Sequence, residues 1–402
     1  METPIPEGFK EMIRQMPGID GEALLTVLDT EPAVSVKVNR RKLGDLTVQQ
    51  AEEILGYDGL EPVSWCRSGF YLPVRPQFTL NPLLHAGAFY VQDASSMVYE
   101  SLVTEYCADM PPGLALDMCA SPGGKSTSIL NALPDGWTLV SNEFTPQRAG
   151  ALRENLLKWG YPDIVVTNSD TARFTDGGEL FSLVAVDAPC SGEGMMRKDA
   201  VARTQWSHGL IRQCATLQRE IIQNAVDALL PGGILIYSTC TFNRTENEDN
   251  VQWAAEEFGL SVLHTRRFMP HVTRGEGLFV AVLRKPGQLI APKNGRKSLD
   301  RVLKKCRVLA DGFPPPVMKG KVLVPDPTAP LCVDFNANKY PTAEVNLETA
   351  LEYLRHNPIT LPPDAPRGLT VITYRGQRLG FVKNLGTRAN NLYTKEWRIR
   401  NL

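Results

Sequence analysis

The feature that most constrains the fold of this 402-residue chain is a regular alternation of apolar runs and amphipathic segments between residues 80 and 285. Short apolar runs favour buried strands, and the segments between them repeat with the period of a helix. Strands that alternate with helices are typical of a mostly parallel sheet in an α/β fold. The predicted strands are 114–119, 137–143, 164–168, 181–187 and 232–240, and an antiparallel pair, 260–265 and 277–285, brings the sheet to seven strands.

The flanking regions differ from this pattern. Residues 1–78 combine a helical pattern, an alternating run at 34–39 and a further amphipathic stretch, which predicts a small α+β module. A segment rich in proline, glycine and lysine follows the core, so 286–345 is predicted to be a linker and intermediate region. Residues 346–402 form the last predicted domain, in which two alternating runs joined at Arg375-Gly376 predict a hairpin.

A net charge of −1 hides a strong charge asymmetry. Residues 264–402 hold 24 Lys and Arg against 10 Asp and Glu. Cations that neutralise phosphates release counterions, so this basic third predicts a polyanionic partner such as RNA. A second basic patch lies at 36–42.

The aromatic residues of the basic C-terminal end either stack on bases or pack in the core. Phe381 is predicted to pack, and the role of Trp397 is left open.

The chain shows no membrane or export signal. No apolar run reaches eighteen residues, and the first residues carry three glutamates in place of an apolar stretch. The eight cysteines show neither a Cys-x-x-Cys pair nor zinc spacing, so we predict free thiols, no metal site and a cytoplasmic location. We take a monomer as the expected state.

Two cysteines lie where predicted strands open into loops. Cys190 follows VAVDAP and Cys240 follows ILIYST. In open α/β sheets the reactive crevice lies at the carboxyl ends of the strands. A single cysteine there is more often a packing residue than a nucleophile. Two of them, with Asp187 beside Cys190, favour covalent chemistry.

The segment LDMCASPGGKST (116–127) predicts a strand, a small-residue loop and a helix that together bind a ligand. Cys119 stands where a P-loop needs its first glycine, and the dinucleotide pattern G-x-G-x-x-G is absent. A nucleoside without phosphate, such as S-adenosylmethionine, remains. Glu143 ends the next strand and is predicted to bind ribose. Asp170, after the third strand, is a candidate for the adenine amino group, although each acid alone is also compatible with a solvated carboxylate.

The motifs CASPGGK, DAPCSGEGMMRKD (187–199), YSTCTFNRTENE (237–248) and FYVQDASSM (89–97) together resemble the RNA cytosine-C5 methyltransferase family. The similarity is greatest to the branch that modifies bacterial small-subunit ribosomal RNA. It is strong over about 80–285 and weaker in the flanks. It implies a Rossmann-like methyltransferase core (79–285) that uses S-adenosylmethionine, an N-terminal RNA-binding module and a C-terminal PUA-like RNA-binding region.

The resemblance also implies roles for individual residues. Glu143 would bind the ribose, Asp170 the adenine, and Asp187 would lie between cofactor and target base. Cys240 would be the nucleophile and Cys190 would assist release of the product. The methionine part of the cofactor would be wrapped by Cys119, Ala120, Ser121, Pro122, Gly123, Gly124 and Lys125. Whether Lys125 orients Asp187 or the carboxylate of the cofactor stays open.

Other functions are compatible with parts of the sequence. A transfer RNA cytosine-C5 methyltransferase would use the same motifs on another RNA. An RNA-binding ribosome assembly factor without activity is disfavoured because every motif residue is intact. A DNA enzyme is disfavoured because it would use the Pro-Cys cysteine as nucleophile, whereas this chain also has the Thr-Cys motif. An ATPase is disfavoured by Cys119.

Overall fold

The computed structural model describes residues 3–292, 294–320 and 322–400. The N-terminal region forms a four-stranded sheet in the order β2-β3-β1-β4. Because β4 pairs with β1, this sheet extends beyond residue 78, the predicted end of the module. The elements are α1 (Glu7–Arg14), α2 (Gly21–Val27), β1 (Val34–Val38), α3 (Arg40–Leu43), α4 (Val48–Leu55), β2 (Glu61–Pro62), β3 (Gly69–Leu72), α5 (Pro82–His85) and β4 (Phe89–Val91).

The central region has the predicted α/β pattern. Five parallel strands lie in the order β7-β6-β5-β8-β9, and β11 and then β10 continue the sheet as an antiparallel pair. The elements are α6 (Val98–Cys107), β5 (Leu114–Asp117), α7 (Gly124–Ala132), β6 (Thr138–Asn142), α8 (Pro146–Trp159), β7 (Ile164–Asn168), β8 (Phe181–Asp187), α9 (Ala200–Gln205), α10 (His208–Ala228), β9 (Leu229–Thr239), α11 (Glu248–Phe258), β10 (Ser261–Phe268) and β11 (Leu278–Arg284). These elements confirm the predicted strands to within a few residues.

The sheet has one strand more than predicted. Helix α12 (Gly295–Leu303) packs on the core, and β12 (Arg307–Asp311) then pairs antiparallel with β7. This strand lies in the segment predicted to be a linker. It was missed because β12 is an edge strand whose residues are exposed or half-buried, so its sequence lacks an apolar face.

The C-terminal region contains the predicted hairpin within a separate four-stranded sheet, β15-β16-β17-β18. Arg375 and Gly376 both have left-handed φ angles, 48° and 72°, as a two-residue hairpin turn requires. Phe381, Tyr393 and Trp397 are buried, so packing, which the sequence left open for Trp397, is their role. The elements are β13 (Val317–Lys319), β14 (Val322–Val324), β15 (Thr342–Glu344), α13 (Leu347–Leu354), β16 (Gly368–Tyr374), β17 (Gln377–Asn384) and β18 (Ala389–Asn391).

The topology places a crevice beside β5. This strand has β6 on one side and β8 on the other, so the strand order reverses there. Ligands of open α/β sheets bind outside the carboxyl ends of the strands at such a switch point. Among the described residues, no helix combines the length and apolar character that a bilayer span needs.

Lys37 joins the N-terminal sheet to the core. Its side chain, on β1, is fully buried, and Nζ donates to Gly124 O (3.0 Å), Thr127 Oγ1 (2.9 Å) and Ser128 Oγ (2.6 Å) in the first turns of α7. Burial lowers the pKa of Lys37 to about 7. The patch 36–42, predicted to be a basic RNA-facing surface, is therefore partly internal, because strand alternation turns Lys37 toward the core.

We expect Lys37→Met to remove part of the pH dependence of stability. The folded pKa of about 7 lies below the ordinary 10.5, so between these pH values the unfolded chain binds a proton at Lys37 that the folded chain does not. The stability that the neutral Lys37 contributes is therefore fully present above pH 10.5 and is lost as the pH falls toward 7. Between about pH 9.5 and 7.5, the wild-type free energy of unfolding should fall by up to about 1.4 kcal/mol per pH unit more than that of the variant. Urea unfolding of both proteins measures this difference. Lys10→Met, at a surface ion pair, is the control, and equal slopes for wild type and Lys37→Met would contradict the assignment.

Candidate active site

The loop between β5 and α7 is held from outside by two elements, β4 and α8. Pro122 O accepts hydrogen bonds from Tyr90 Oη (3.3 Å) and Asn155 Nδ2 (2.8 Å), and Ser121 Oγ donates to Arg148 O (2.9 Å). Gly123 has a φ of 111°, a conformation that favours glycine, and α7 begins at the next residue. The free N–H groups of this helix start therefore face the crevice beside β5.

Two buried polar atoms beside this loop have no hydrogen-bond partner among the described residues: Gln92 Nε2, a donor, and Asp117 Oδ1, an acceptor. The amide nitrogen of Gln92 lies 3.3 Å from the position that a Cβ on Gly124 would take. Burial raises the pKa of Asp117 to about 7, and its other oxygen accepts from Ser126 Oγ (2.7 Å). A ligand with both a carboxylate and an ammonium group, such as the end of an amino acid, complements this pair.

Neither Gln92 nor Asp117 was predicted from the sequence to contact a ligand. Gln92 lies in FYVQDASSM and Asp117 lies in LDMCASPGGKST, so each belongs to one of the motifs that carry the resemblance. Their membership of those motifs was the available signal.

The acidic residues after β6 and β7 have different environments. Glu143 is buried, and its Oε1 accepts from Thr145 N (2.8 Å). Asp170 is exposed and caps the following turn by accepting from Ala172 N (2.9 Å). Asn168 Nδ2 donates to Glu143 O (2.7 Å) and to Phe144 O, and so connects the two strand ends. The roles of Glu143 toward ribose and of Asp170 toward adenine stay predictions.

Asp187, the last residue of β8, lies at the centre of a polar group. Its carboxylate accepts from Lys125 Nζ (2.7 Å) and from Ser238 Oγ (2.7 Å). Burial by itself would lower the pKa of Lys125, but the Asp187 carboxylate outweighs it and raises that pKa above its ordinary value. Lys125 therefore pairs with Asp187 here, the first of the two orientations that the sequence left open. The side chain of Asp187 is 29% exposed, so a ligand in the crevice can reach it.

The two cysteines meet. Cys190 Sγ and Cys240 Sγ are 3.1 Å apart, although 50 residues separate them in the sequence. The hydrogen bond with Cys240, together with burial, holds the pKa of Cys190 well above its ordinary value. Cys190 therefore keeps its proton, and either thiol can be the donor in the hydrogen bond that joins the two sulfurs. Since Cys240 directly follows β9, the neighbour of β8, both thiols lie at the same sheet edge as Asp187.

Cys119 differs from this pair. Burial raises the pKa of its thiol, and its side chain packs against the core cluster under the sheet. Across residues 3–292, 294–320 and 322–400, no group of three His, Cys, Asp or Glu side chains is arranged to hold a metal ion.

The N-terminal helices cover the segment that follows Cys190. Phe9 of α1 packs edge-on against Trp206, with ring centroids 5.6 Å apart. Arg197 Nε donates to Thr30 O (3.0 Å), and this side chain is only 7% exposed. Arg197 therefore fixes the loop after Cys190 to the N-terminal region.

Three family models match consecutive parts of the chain. Residues 5–94 match the N-terminal domain of 16S rRNA methyltransferase RsmF, residues 110–284 match 16S rRNA methyltransferase RsmB/F, and residues 340–399 match the methyltransferase RsmF PUA domain. The three models cover the same succession of N-terminal, central and C-terminal regions that the structure shows.

Individual proteins show the same similarity. The ribosomal RNA small subunit methyltransferase F of Pectobacterium atrosepticum is 35% identical over 278 residues, which cover 63% of this chain and 57% of that protein. The protein of the same name from Enterobacter sp. is 31% identical and covers 84% of both chains. The chain thus spans less than two thirds of the first of these relatives. The crystal structure of NSun6 from Pyrococcus horikoshii with SFG has the same fold, with a TM-score of 0.59 at 20% identity over 70% of this chain and 99% of that one.

Proposed function

Because this chain belongs to the RsmB/F family of 16S ribosomal RNA methyltransferases, we propose that it methylates carbon 5 of a cytosine in ribosomal RNA. The observation that carries the proposal is the 3.1 Å separation of the Cys190 and Cys240 sulfurs beside the Asp187–Lys125 pair. A thiol nucleophile beside a carboxyl group suits methylation at an unreactive ring carbon, and the second thiol is close enough to act on the first.

S-adenosylmethionine is the cofactor, as the loop after β5 predicts. The relatives are methyltransferases, and the solved NSun6 structure carries SFG, an analogue of S-adenosylmethionine. When bound, it supplies a methyl group on a positively charged sulfur. The unpartnered atoms of Gln92 and Asp117 would bind its carboxylate and ammonium groups, and Glu143 would accept from its ribose hydroxyls.

Cys240 is the proposed nucleophile. Its sulfur would form a bond to carbon 6 of the cytosine, which places electron density on carbon 5 and lets that carbon take the methyl group. A water molecule in the crevice would then take the proton from carbon 5. The electron pair of that bond would restore the double bond between carbons 5 and 6, and Cys240 would leave carbon 6 as a thiolate. The covalent route divides one difficult step into two easier ones.

Asp187 and Lys125 are proposed to act on nitrogen 3 of the ring, which is conjugated through carbon 4 with the reacting bond between carbons 5 and 6. A hydrogen bond or proton at nitrogen 3 draws charge from the ring while the thiolate adds. Lys125 stays protonated because its pKa is raised, and its ion pair with Asp187 holds that carboxyl group in place. When the bond between Cys240 and carbon 6 breaks, the proton at nitrogen 3 returns to the Asp187 carboxyl group.

Cys190 is proposed to assist release of the product. Because it keeps its proton and lies 3.1 Å from the Cys240 sulfur, it can stabilise the thiolate that departs from carbon 6. Removing it is therefore expected to affect the breakdown of the adduct more than its formation.

Ribosomal RNA is the proposed substrate because the relatives share that name and the C-terminal region matches a PUA domain. The basic third of the chain offers cations for phosphate contacts. We propose that the protein acts in the cytoplasm, where ribosomal RNA is assembled.

Methyl transfer with defined RNA tests the proposal. The purified protein is incubated with S-adenosylmethionine and small ribosomal subunits, naked 16S RNA or transfer RNA, and bisulfite sequencing maps 5-methylcytosine. New protected cytosines in 16S RNA are the expected result. Methylation of transfer RNA alone would support the other RNA substrate. Cofactor binding without methylation of any of these RNAs would favour an assembly factor.

We expect Glu143→Gln to weaken cofactor binding about 10-fold, since a neutral amide is a poorer acceptor for two ribose hydroxyls. The amide oxygen can keep the bond to Thr145 N, so the strand end should stay folded. Titration calorimetry with S-adenosylmethionine measures the change. Glu154→Gln, which alters the partly buried ion pair with Lys158 on α8, is the matched control. An unchanged dissociation constant for Glu143→Gln would rule out the ribose role.

A further inference from the structure

Two buried glutamates of the cysteine motifs have no role in the chemistry described so far. Glu193 lies in the loop after Cys190, and Glu246 lies in the loop after Cys240. We propose that both are positioning residues, which clasp the two loops so that Cys190 stays within hydrogen-bond distance of Cys240. This inference rests on the proposed function for its catalytic meaning, but the geometry of the clasp can be tested without RNA.

Glu193 binds the loop that carries the other cysteine. Its side chain is fully buried, and Oε2 accepts from the backbone nitrogens of Phe242 (2.7 Å) and Asn243 (2.8 Å). Its Oε1 accepts from Asn243 Nδ2 (3.1 Å) and from Trp206 Nε1 (2.9 Å). Four donors therefore hold this carboxylate. Trp206 also contacts Phe9, so the clasp extends to the N-terminal helices.

Glu246 makes the reciprocal contact. Its Oε2 accepts from Ser191 N (3.0 Å), directly after Cys190, and from Gln218 Nε2 (2.7 Å). Its Oε1 accepts from Asn243 Nδ2 (2.7 Å). A hydroxyl pair, Ser191 Oγ and Thr241 Oγ1 at 2.8 Å, joins the residues next to the two cysteines. Each carboxylate thus lies on one loop and binds backbone N–H groups of the other.

The sheet alone does not hold the cysteines together. Pairing between β8 and β9 ends at Asp187 and Ser238, and one more backbone bond, from Ala188 N to Ser238 O (2.9 Å), lies beyond it. Past that point a single backbone bond, from Gly194 N to Cys240 O (2.8 Å), links the two loops. The other hydrogen bonds between these two described loops are those of Glu193 and Glu246, the hydroxyl pair, the contact of the two thiols and a longer bond from Asn243 Nδ2 to Ser191 Oγ (3.4 Å).

The charge of the clasp supports a positioning role. Among the described residues neither glutamate forms an ion pair, and burial raises the pKa of Glu246. A buried carboxylate without a cation is costly unless its acceptors are filled and its geometry is fixed. Glu246 also helps to raise the pKa of Cys190, after the larger effects of Cys240 and burial. The clasp therefore favours the protonated form of the thiol that it positions.

The rate of disulfide formation between the two thiols reports their juxtaposition directly. Treatment with diamide, a diazene oxidant, removes two electrons and two protons from the thiols and is itself reduced to a hydrazine. Mass spectrometry then measures the peptide that links Cys190 to Cys240. We expect Glu193→Gln to slow this step at least about 10-fold, because displacement of reacting groups by about 1 Å costs up to about 100-fold in rate. Wild-type rates in Glu193→Gln would overturn the proposal.

Two further variants complete the experiment. Glu248→Gln is the matched control, since Glu248 belongs to the same motif but pairs with Arg267 and does not join the loops; it should keep the wild-type rate. In Glu246→Gln the amide oxygen can still accept from Ser191 N, but the amide NH2 then faces Asn243 Nδ2, which is also a donor. We therefore expect a rate of disulfide formation between those of the wild type and Glu193→Gln. If Glu193→Gln does not fold, Glu246→Gln replaces it as the test variant. A wild-type rate of disulfide formation in Glu246→Gln would then overturn the proposal.

Methyl transfer connects the clasp to catalysis. We expect Glu193→Gln to lower kcat about 100-fold without changing the dissociation constant of S-adenosylmethionine, because the cofactor loop lies outside the clasp. Unchanged kcat would overturn the catalytic part of the proposal. If the wild type shows no methyl transfer but the disulfide rates differ as expected, the proposed function fails and the positioning role stands.

Discussion

Cys240→Ser is expected to abolish methyl transfer, whereas Cys190→Ser is expected to leave the protein covalently joined to its RNA. Loss of the nucleophile should reduce kcat by at least about 10⁴-fold, as for other enzymes that depend on a covalent intermediate. Serine at position 190 is shorter and less acidic than cysteine, so it stabilises the departing Cys240 thiolate poorly. The adduct then forms but breaks down slowly.

Denaturing gel electrophoresis of each variant with labelled RNA distinguishes the two roles. Cys190→Ser should give a slowly migrating protein–RNA band that depends on S-adenosylmethionine, and Cys240→Ser should give none. Cys214→Ser, at a half-buried position on α10, is the control and should behave as the wild type. The opposite pattern, with adduct in Cys240→Ser, would make Cys190 the nucleophile.

Asp187→Asn is expected to lower kcat by about 10²- to 10⁴-fold, the usual range for loss of a positioned acid–base group. An amide neither forms the ion pair with Lys125 nor exchanges a proton with the ring nitrogen. The oxygen that remains can still accept from Ser238 Oγ, so the end of β8 should keep its structure. Single-turnover methyl transfer at saturating S-adenosylmethionine measures the chemical step without product release.

Asp135→Asn gives the matched control. Asp135 forms an ion pair with Arg41, but its side chain is 97% exposed and lies away from the crevice. This variant loses the same charge, and its kcat should stay close to that of the wild type. A comparably small effect of Asp187→Asn would show that its carboxyl group does not take part in the chemical step.

The N-terminal region has more than one structural role. Its sheet reaches α7 through Lys37, close to the cofactor loop, and its helices α1 and α2 pack on the segment after Cys190. Both contacts end near the crevice. The region predicted to be an RNA-binding module therefore also supports the residues proposed to carry out the chemistry.

The sequence by itself determined the order of the elements and the identity of the candidate site. Apolar periodicity located the parallel strands, and Thr145-Pro146 and Gly160 marked both ends of α8. The positions of Cys190, Asp187 and Cys240 followed from where strands end, because parallel strands place their carboxyl ends at one edge. These are local signals, which depend on residues within one or two turns of one another.

Only the tertiary structure decided which distant residues meet. No local pattern marks β12 as a strand, because an edge strand is stabilised by pairing with β7 and not by its own apolar face. Lys37 lies in a patch that was predicted to be a basic surface, and the role of Trp397 was left open between stacking and packing. Both are buried by elements far along the chain. The 3.1 Å contact of Cys190 with Cys240 and the cross-bonds of Glu193 and Glu246 likewise join loops about 50 residues apart. Such contacts arise from three-dimensional packing, which the sequence encodes only through the whole fold.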